Sequence, residues 1–170
     1  MSRSGLRNRH AVPDAAQSWN FDLFFTSIPG ASDTMQLSYR CKSATLPGIS
    51  IDAVEIALGG MKKIEAGQQS YSEHQFDAVF MEVIDFSTRD VFENWIRNTR
   101  NWRGNTGMNS NQYKTTAEIH VYDFVPNVTK RYKIIGMWAQ NLTDYALDGT
   151  SANTALDLTV TFKFDDIEPL

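Results

Sequence analysis

The chain has 170 residues, of which 42% are hydrophobic, 21% charged and 12% aromatic, with a single cysteine. These values are ordinary for a folded globular protein, and one cysteine excludes an intrachain disulfide and a multi-cysteine metal site. The net charge is −4, but the first ten residues carry three arginines and no acid, so the other 160 carry 13 basic and 20 acidic side chains. So acidic a body argues against a protein that binds nucleic acid by neutralising phosphates.

The N-terminal residues 1–17 are expected to form a flexible basic arm, because they contain Arg3, Arg7 and Arg9 and show no apolar periodicity. They lack the apolar core of a secretory signal, and no stretch of the chain approaches the roughly 20 apolar residues of a membrane span. The arm has the charge to dock on an acidic patch of a neighbouring copy; the alternative is a frayed terminus without a role. Residues 18–170 are expected to form a single β domain.

Two strands are predicted at the start of this domain. Trp19–Phe25 alternates apolar and polar residues, and Met35–Ser43 is assigned a second strand. Cys41 lies on the apolar side of that strand and is expected to be a small core residue. Pro47 and Gly48 then predict a turn.

The next segment combines one predicted strand with one stretch that gives no clear prediction. Ile49–Leu58 is a strand whose apolar residues change phase, which indicates a bulge or bend near Ala53. Gly59–Glu73 is polar and too weakly patterned to be assigned a strand. Its glycines match neither a dinucleotide fingerprint nor a phosphate loop.

The middle of the chain predicts a long strand followed by a helix. His74–Ile84 carries apolar residues on both faces, which indicates a sheet covered on both sides. Ser87–Asn101 predicts the only clear helix, with Ser87 as N-cap and Asp90 in a capping-box position. Its apolar stripe consists of Val91, Phe92, Trp95 and Ile96. A helix of about four turns is marginal alone, so it is expected to lie on the sheet.

The last third of the chain is expected to be loop, hairpin, loop and strand. Trp102–Thr116 is rich in Asn, Gly and Ser and predicts an exposed loop. A hairpin follows from Ala117 to Trp138, with its turn at Pro126-Asn127. The strand Leu156–Phe164 has the clearest alternation in the chain, with one buried face and one wet face. The acidic tail after it is short.

No arrangement typical of catalysis or metal binding is found. The sequence contains no nucleophile elbow, no zinc-protease motif, no paired cysteines and no calcium loop, and its carboxylates are scattered. We therefore predict a protein that is not an enzyme and uses no cofactor or metal.

The order of three segments carries a family resemblance. CKSATLPGISI is followed by GGMKKIEAGQQSYSEHQF and then by FMEVIDFSTRDVFENWIRNTR. In this order they resemble the tail tube protein of contractile-tailed bacteriophages, over roughly Trp19 to Phe164. The Leu46-Pro47-Gly48 turn, the lysine-containing segment with Ala66-Gly67, the strand–helix unit and the closing strand carry the resemblance.

The resemblance implies a mainly β (α+β) fold: a two-sheet β-sandwich or barrel with one flanking α-helix, similar to the type VI secretion tube protein. It implies hexameric rings that share one β-barrel between subunits and stack into the inner tube of a contractile tail in the virion, assembled in the host cytoplasm. The implied partners are other copies of the chain, the tail sheath protein, and the baseplate and terminator proteins. A tape measure protein and DNA are implied to pass through the lumen without specific binding, and no membrane is involved.

Two sets of residues are expected to act in such a tube. The contacts between subunits or rings are assigned to Arg3, Arg7, Arg9, Lys62, Lys63, Glu65, Gln68, Arg103, Asn105 and Asn109. Strand acids are candidates for a lumen that repels phosphate, although the same pattern allows them to face the sheath. These acids are Asp52, Glu55, Asp77 and Glu82.

Three alternatives remain open at this point. A baseplate protein of the same fold starts the tube instead of extending it, and a type VI secretion-like tube subunit belongs to another lineage. A small β-barrel ligand carrier or enzyme is the alternative from a different class, and it requires a pocket with converging polar groups.

Overall fold

The computed structural model describes residues 13–125 and 127–170. Its strands are β1 (Phe21–Phe25), β2 (Cys41–Ala44), β3 (Ile49–Leu58), β4 (Met61–Tyr71), β5 (Gln75–Met81), β6 (Arg100–Asn101), β7 (Thr106–Gly107), β8 (Thr115–Tyr122), β9 (Val128–Leu142), β10 (Asp157–Lys163) and β11 (Asp166–Pro169). Its α-helices are α1 (Met35–Arg40), α2 (Ser87–Thr99) and α3 (Ser110–Tyr113). Across these described ranges, every helix is too short or too polar to cross a membrane.

One antiparallel sheet of seven strands forms the body. The strand order is β1-β8-β9-β10-β5-β2, and β11 pairs with β9 beside β10. The long strand β9 contains Gly136 at a φ of +67°. Before this glycine β9 pairs with β11, and after it β9 pairs with β10. The sheet folds over on itself, so that the Phe25 ring of β1 lies 6.2 Å from the Phe80 ring of β5.

The core lies between these folded layers and is closed by α2. Leu158, Val160 and Phe162 of β10 are fully buried, while the alternate residues of the strand are not, which confirms the predicted period. Phe92 and Trp95 of α2 are also fully buried and pack on the core aromatics. The predicted mainly β fold with a flanking helix is therefore confirmed.

The predicted strand Met35–Ser43 is wrong over most of its length. Met35–Arg40 is the short helix α1, and only the following residues form β2 against β5. The Asp33 carboxylate accepts a hydrogen bond from the Met35 N–H at 3.0 Å, which supports the start of a helix where the alternation of apolar residues suggested a strand. Cys41 packs partly against the core, as expected, and burial raises the pKa of its thiol to about 12.

The polar segment Gly59–Glu73, for which no strand is predicted, contains β4, the second strand of a hairpin. Gly59 and Gly60 take positive φ values of 52° and 88°, and so make a two-residue turn between β3 and β4. The register changes between Ile51 and Ala53, at the place of the predicted bulge, but the change does not bring the apolar residues of β3 onto one face, as the prediction required. The extra residue lies on β4, so β3 keeps its alternation and presents apolar side chains on both faces.

Three further differences concern exposed parts of the chain. Trp102–Thr116 is not a plain loop, because it holds the β7 half of the β6–β7 ribbon and the helix α3. The short tail contains β11, which pairs with β9. Trp19 lies before β1 and is 67% exposed, so it is not part of the buried face. The predicted turn residue Pro126 lies outside the described residues.

Candidate subunit-contact surfaces

The β3–β4 hairpin stands apart from the body. Its two strands run antiparallel from Ile49↔Tyr71 to Leu58↔Met61, and their main contacts are with each other. Nearly every residue of both strands is exposed. A two-stranded hairpin without a third layer is marginally stable in water, so a hairpin of this length points to a surface that covers it.

Both faces of this hairpin carry apolar side chains. Cross-strand partners share a face, so Val54, Ile56 and Leu58 lie on one face together with Met61. The opposite face carries Ile49, Ile51 and Ile64, which are 55%, 60% and 66% exposed. Soluble proteins seldom leave apolar surface open on both sides of one element.

The charged residues assigned to the hairpin from the sequence lie on it and pair within it. Lys62 Nζ lies 3.0 Å from a Glu55 carboxylate oxygen, and Lys63 pairs with Glu65. All of these side chains are about half exposed or more, so the pairs contribute little to stability, about 0–1 kcal/mol each. They leave the hairpin edges charged, which discourages unspecific pairing with other strands.

The bulge lies at the middle of the hairpin. Gln68 and Gly67 of β4 together oppose Asp52 of β3. A Cβ at Gly67 would lie 2.9 Å from the Val54 side chain and 3.0 Å from the Asp52 carbonyl oxygen. Glycine is therefore needed where the two strands approach each other, and the local twist that a bulge adds re-aims the half of the hairpin nearer its turn.

The second expected contact segment is a rigid tip at the C-terminal end of α2. The Asn101 side-chain oxygen accepts hydrogen bonds from the backbone N–H groups of Arg103 and Gly104, and Asn105 takes a positive φ of 49°. Asn109 caps α3 in a reciprocal capping box with Gln112. Asn109 thus has a local structural role, whereas Arg103 and Asn105 remain on the exposed tip.

Two of the candidate lumen acids, Asp77 and Glu82, differ in their exposure to solvent. Asp77 lies on the outward face of β5, exposed, and accepts a hydrogen bond from the Thr161 hydroxyl at 2.7 Å. Glu82 is only 9% exposed and does not fit the expectation of an open acid. Its carboxylate instead accepts hydrogen bonds from the Thr88 and Arg89 backbone N–H groups in the first turn of α2.

Glu82 also replaces the N-cap expected at Ser87. The helix begins one residue earlier than a serine cap would place it, with Phe86 at the N-cap in a left-handed conformation and without a side-chain hydrogen bond. A further bond to Glu82 comes from the Tyr145 hydroxyl. Burial alone would raise the pKa of Glu82, but the Tyr145 hydroxyl and the backbone N–H groups outweigh it and hold that pKa below its usual value.

Arg3, Arg7 and Arg9 lie outside the described residues. Within residues 13–125 and 127–170, no three His, Cys, Asp or Glu side chains are grouped to hold a metal ion. Sequence reasoning did not include the exposed apolar residues Ile51 and Ile64 among the candidate contacts, since a strand apolar on both faces looks the same whether its cover comes from its own chain or from another copy.

Comparison with known proteins finds a relative of similar sequence and solved structures of similar fold. The tail tube protein gp19 of Enterobacteria phage T6 is 26% identical over 131 residues, which are 75% of this chain and 78% of that protein. The structure of the anti-feeding prophage tube-terminating cap superposes with a TM-score of 0.69 at 15% identity, over 100% of this chain and 99% of that one. A chain of the PVC sheath-tube complex, from an extracellular contractile injection system in the extended state, gives a TM-score of 0.67 at 16% identity over 99% of both chains.

The two structural matches, at these identities, show a shared fold. The family assignment comes from the family model described as phage tail tube protein, which matches residues 12–167. That range includes the main sheet up to the first half of β11, the β3–β4 hairpin, the tip after α2 and the Glu82-capped helix. The expected resemblance is therefore confirmed: this chain belongs to the phage tail tube protein family.

Proposed function

We propose that copies of this chain form six-membered rings and that these rings stack into the inner tube of a contractile phage tail. The observation that carries the proposal is the β3–β4 hairpin, which is exposed and apolar on both faces. Neighbouring copies would cover both faces at once, because a subunit in a stacked ring has neighbours beside it and above it. Burying Ile51, Ile64 and Leu58 in this way gives assembly its apolar driving force.

Charged residues of the hairpin and tip would set the register of these contacts. Lys62, Lys63, Glu65 and Gln68 lie on the hairpin, and Arg103 and Asn105 lie on the tip. Rim charges of this kind act mainly on specificity and association rate. We further propose that residues 1–17 act as an arm on residues 18–170, with Arg3, Arg7 and Arg9 docking on an adjacent ring.

The lumen is proposed to be acidic, so that DNA slides through it. Asp77 is exposed on the outward face of β5 and is assigned to this lumen. Asp52 and Glu55 are exposed on β3 but lie on opposite faces of the hairpin, so at most one of them would face the lumen once neighbouring copies cover the apolar residues. Carboxylates at such positions repel the phosphate backbone and keep a passing strand from sticking. The buried Glu82 is not part of this set.

The other partners follow from the place of a tube in a tail. A sheath protein would surround the tube, baseplate and terminator proteins would lie at its ends, and a tape measure protein and DNA would pass through the lumen without specific binding. Assembly would take place in the host cytoplasm, and the product would belong to the virion. The family assignment and the fold shared with a chain of a sheath-tube complex support these proposals.

Electron microscopy of the purified protein tests the proposal, with its mass in solution measured in parallel. We expect rings with a wide central channel and, at higher concentration, hollow tubes built from them. Rings that never stack, even with preformed tubes added as seeds, would support the baseplate initiator instead. A protein that stays monomeric at all concentrations would contradict the proposal.

A further inference from the structure

An exposed tryptophan stands at the rigid tip after α2. Trp102 is 84% exposed, at the turn of the short β6–β7 ribbon. The ribbon is closed at its base by the hydrogen bond from the Met108 N–H to the Thr99 carbonyl oxygen. The Arg103 guanidinium lies 5.4 Å from the Trp102 ring centroid. The tip therefore presents an aromatic ring with a positive charge beside it.

A groove of about 480 Å³ lies on another part of the body. Its wall is largely apolar, and two acids also line it, Asp14 and Asp123. One cation, Lys130, lines it too, with its ammonium 5.8 Å from the ring centroid of the groove residue Tyr132. The aromatic and aliphatic walls include Trp19, Leu46, Phe124 and Tyr132.

The tip and the groove lie at opposite ends of the same strand. The tip precedes α3 and the start of β8 at Thr115, and the Trp95 indole N–H holds this end to α2 by donating to the Tyr113 carbonyl oxygen. The groove lies at the far end of β8, at Tyr122 and Asp123. Eight residues of antiparallel strand span about 27 Å, so a chain cannot fill its own groove with its own tip.

We infer that the Trp102 tip of one copy inserts into this groove of another copy. The groove is large enough for an indole ring, and a tryptophan packed in a desolvated pocket is the typical anchor of a protein interface. Charge favours the same pairing, since the tip residues 100–107 carry Arg100 and Arg103 without an acid. The groove is lined by two acids, Asp14 at the base of the N-terminal arm and Asp123, against one cation, Lys130, so its net charge is −1. Because the two surfaces differ and lie at opposite ends, the contact is head-to-tail and repeats from copy to copy.

This inference rests on the proposed assembly, and it names the contact by which one copy finds the next. A photoreactive benzoyl-phenylalanine in place of Trp102, in the full chain, tests it directly. Irradiated assemblies are expected to yield covalent adducts on groove residues such as Leu46 and Tyr132, identified by mass spectrometry. The matched control carries the same probe at Leu147, which is 75% exposed on the loop after β9.

A truncation gives an independent readout. Trp102→Ala is expected to raise the protein concentration needed for assembly by about tenfold or more, as for a central interface anchor, while Leu147→Ala leaves it unchanged. Melting of the unassembled Trp102→Ala chain should match the wild type, since the ring is exposed. Adducts outside the groove in rings or tubes that do form would overturn this inference alone. Wild-type chains that never assemble would overturn the proposed function first.

Discussion

Two single residues, Glu82 and Gly136, hold parts of the fold in which substitution is expected to be most destabilising. Glu82 caps α2 from five residues before the helix begins, because the turn Val83–Phe86 brings its carboxylate back onto the first-turn N–H groups. The same carboxylate accepts a hydrogen bond from the Tyr145 hydroxyl and so connects the loop after β9 to the helix. Gly136 plays the corresponding part in the sheet, where β9 passes from one layer to the other.

We expect Glu82→Gln to lower the free energy of unfolding by about 1–2 kcal/mol at neutral pH, because the charged acceptor of the α2 cap is lost. The pKa of Glu82 is lower in the folded chain than the usual 4.5, so its contribution is present above pH 4.5 and is lost as the pH falls through the folded value. Urea unfolding of the unassembled chain across this range measures the effect. Glu168→Gln, an exposed acid of β11, is the control, and a pH-independent difference would contradict the prediction.

Gly136→Ala is expected to destabilise the body by about 2 kcal/mol or more, since a side chain at positive φ is strained. The added Cβ would also lie 2.0 Å from an Asp165 carboxylate oxygen, and Asp165 pairs with Lys114. Thermal unfolding measures the loss. Gly48→Ala is the matched control, because a Cβ there meets nothing within 4 Å. Equal melting temperatures for the two variants would show that the bend of β9 does not depend on glycine.

At the scale of elements, some helices and strands stabilise the fold of the single chain, while the β3–β4 hairpin does not. The helix α2 closes the core, and Arg40 at the end of α1 donates hydrogen bonds to the Ser87 and Thr88 hydroxyls in its first turn. The β3–β4 hairpin neither closes the core nor holds α2 in place, since its strands chiefly contact each other. Substitutions on the hairpin should therefore separate assembly from folding.

The double variant Ile51→Thr, Ile64→Thr is expected to keep the melting temperature of the unassembled chain within a few degrees of the wild type and to weaken tube formation strongly. Threonine keeps the β-branched shape that suits a strand, while it removes apolar surface that a neighbouring copy would bury. Sedimentation of assembled material measures the effect. Leu147→Thr, on the exposed loop after β9, is the control. Normal assembly of the double variant would remove the hairpin face from the proposed interface.

At the scale of the whole molecule, the predictable parts are those whose sequence pattern is set by the chain's own core. Leu158, Val160 and Phe162 alternate because one face of β10 is buried, and the stripe of α2 exists because Phe92 and Trp95 meet that core. The strand β4 has no buried face, so it leaves no period to detect. The Glu82 cap escaped prediction because the carboxylate lies outside the positions at which a cap is sought, and only the turn before α2 brings it close.

Amide hydrogen exchange should distinguish the main sheet from the β3–β4 hairpin. Amides of β5 and β10, paired at the centre of the sheet, are expected to be protected both before and after assembly. Amides of β3 and β4 are expected to exchange quickly in the unassembled chain and to slow by at least about tenfold in tubes, because only neighbours cover them. The comparison needs one sample at low and one at high protein concentration. Equal protection of the hairpin in both states would mean that it is stable without neighbours.

The strand order determines when the sheet can form while the chain is being synthesised. β1 pairs with β8 and β5 pairs with β10, so two pairings of the sheet join residues far apart in the chain, such as Phe21 and Val121 or Met81 and Asp157. Distant pairings of this kind slow folding, and here β5 and β2 cannot join the rest of the sheet until β10 has left the ribosome. The β3–β4 hairpin pairs neighbouring strands and can form early, with its apolar faces open, whereas the other long hairpin, β8–β9, is synthesised much later. A nascent chain of this kind depends on its own C-terminal third, or on a chaperone, to stay out of aggregates.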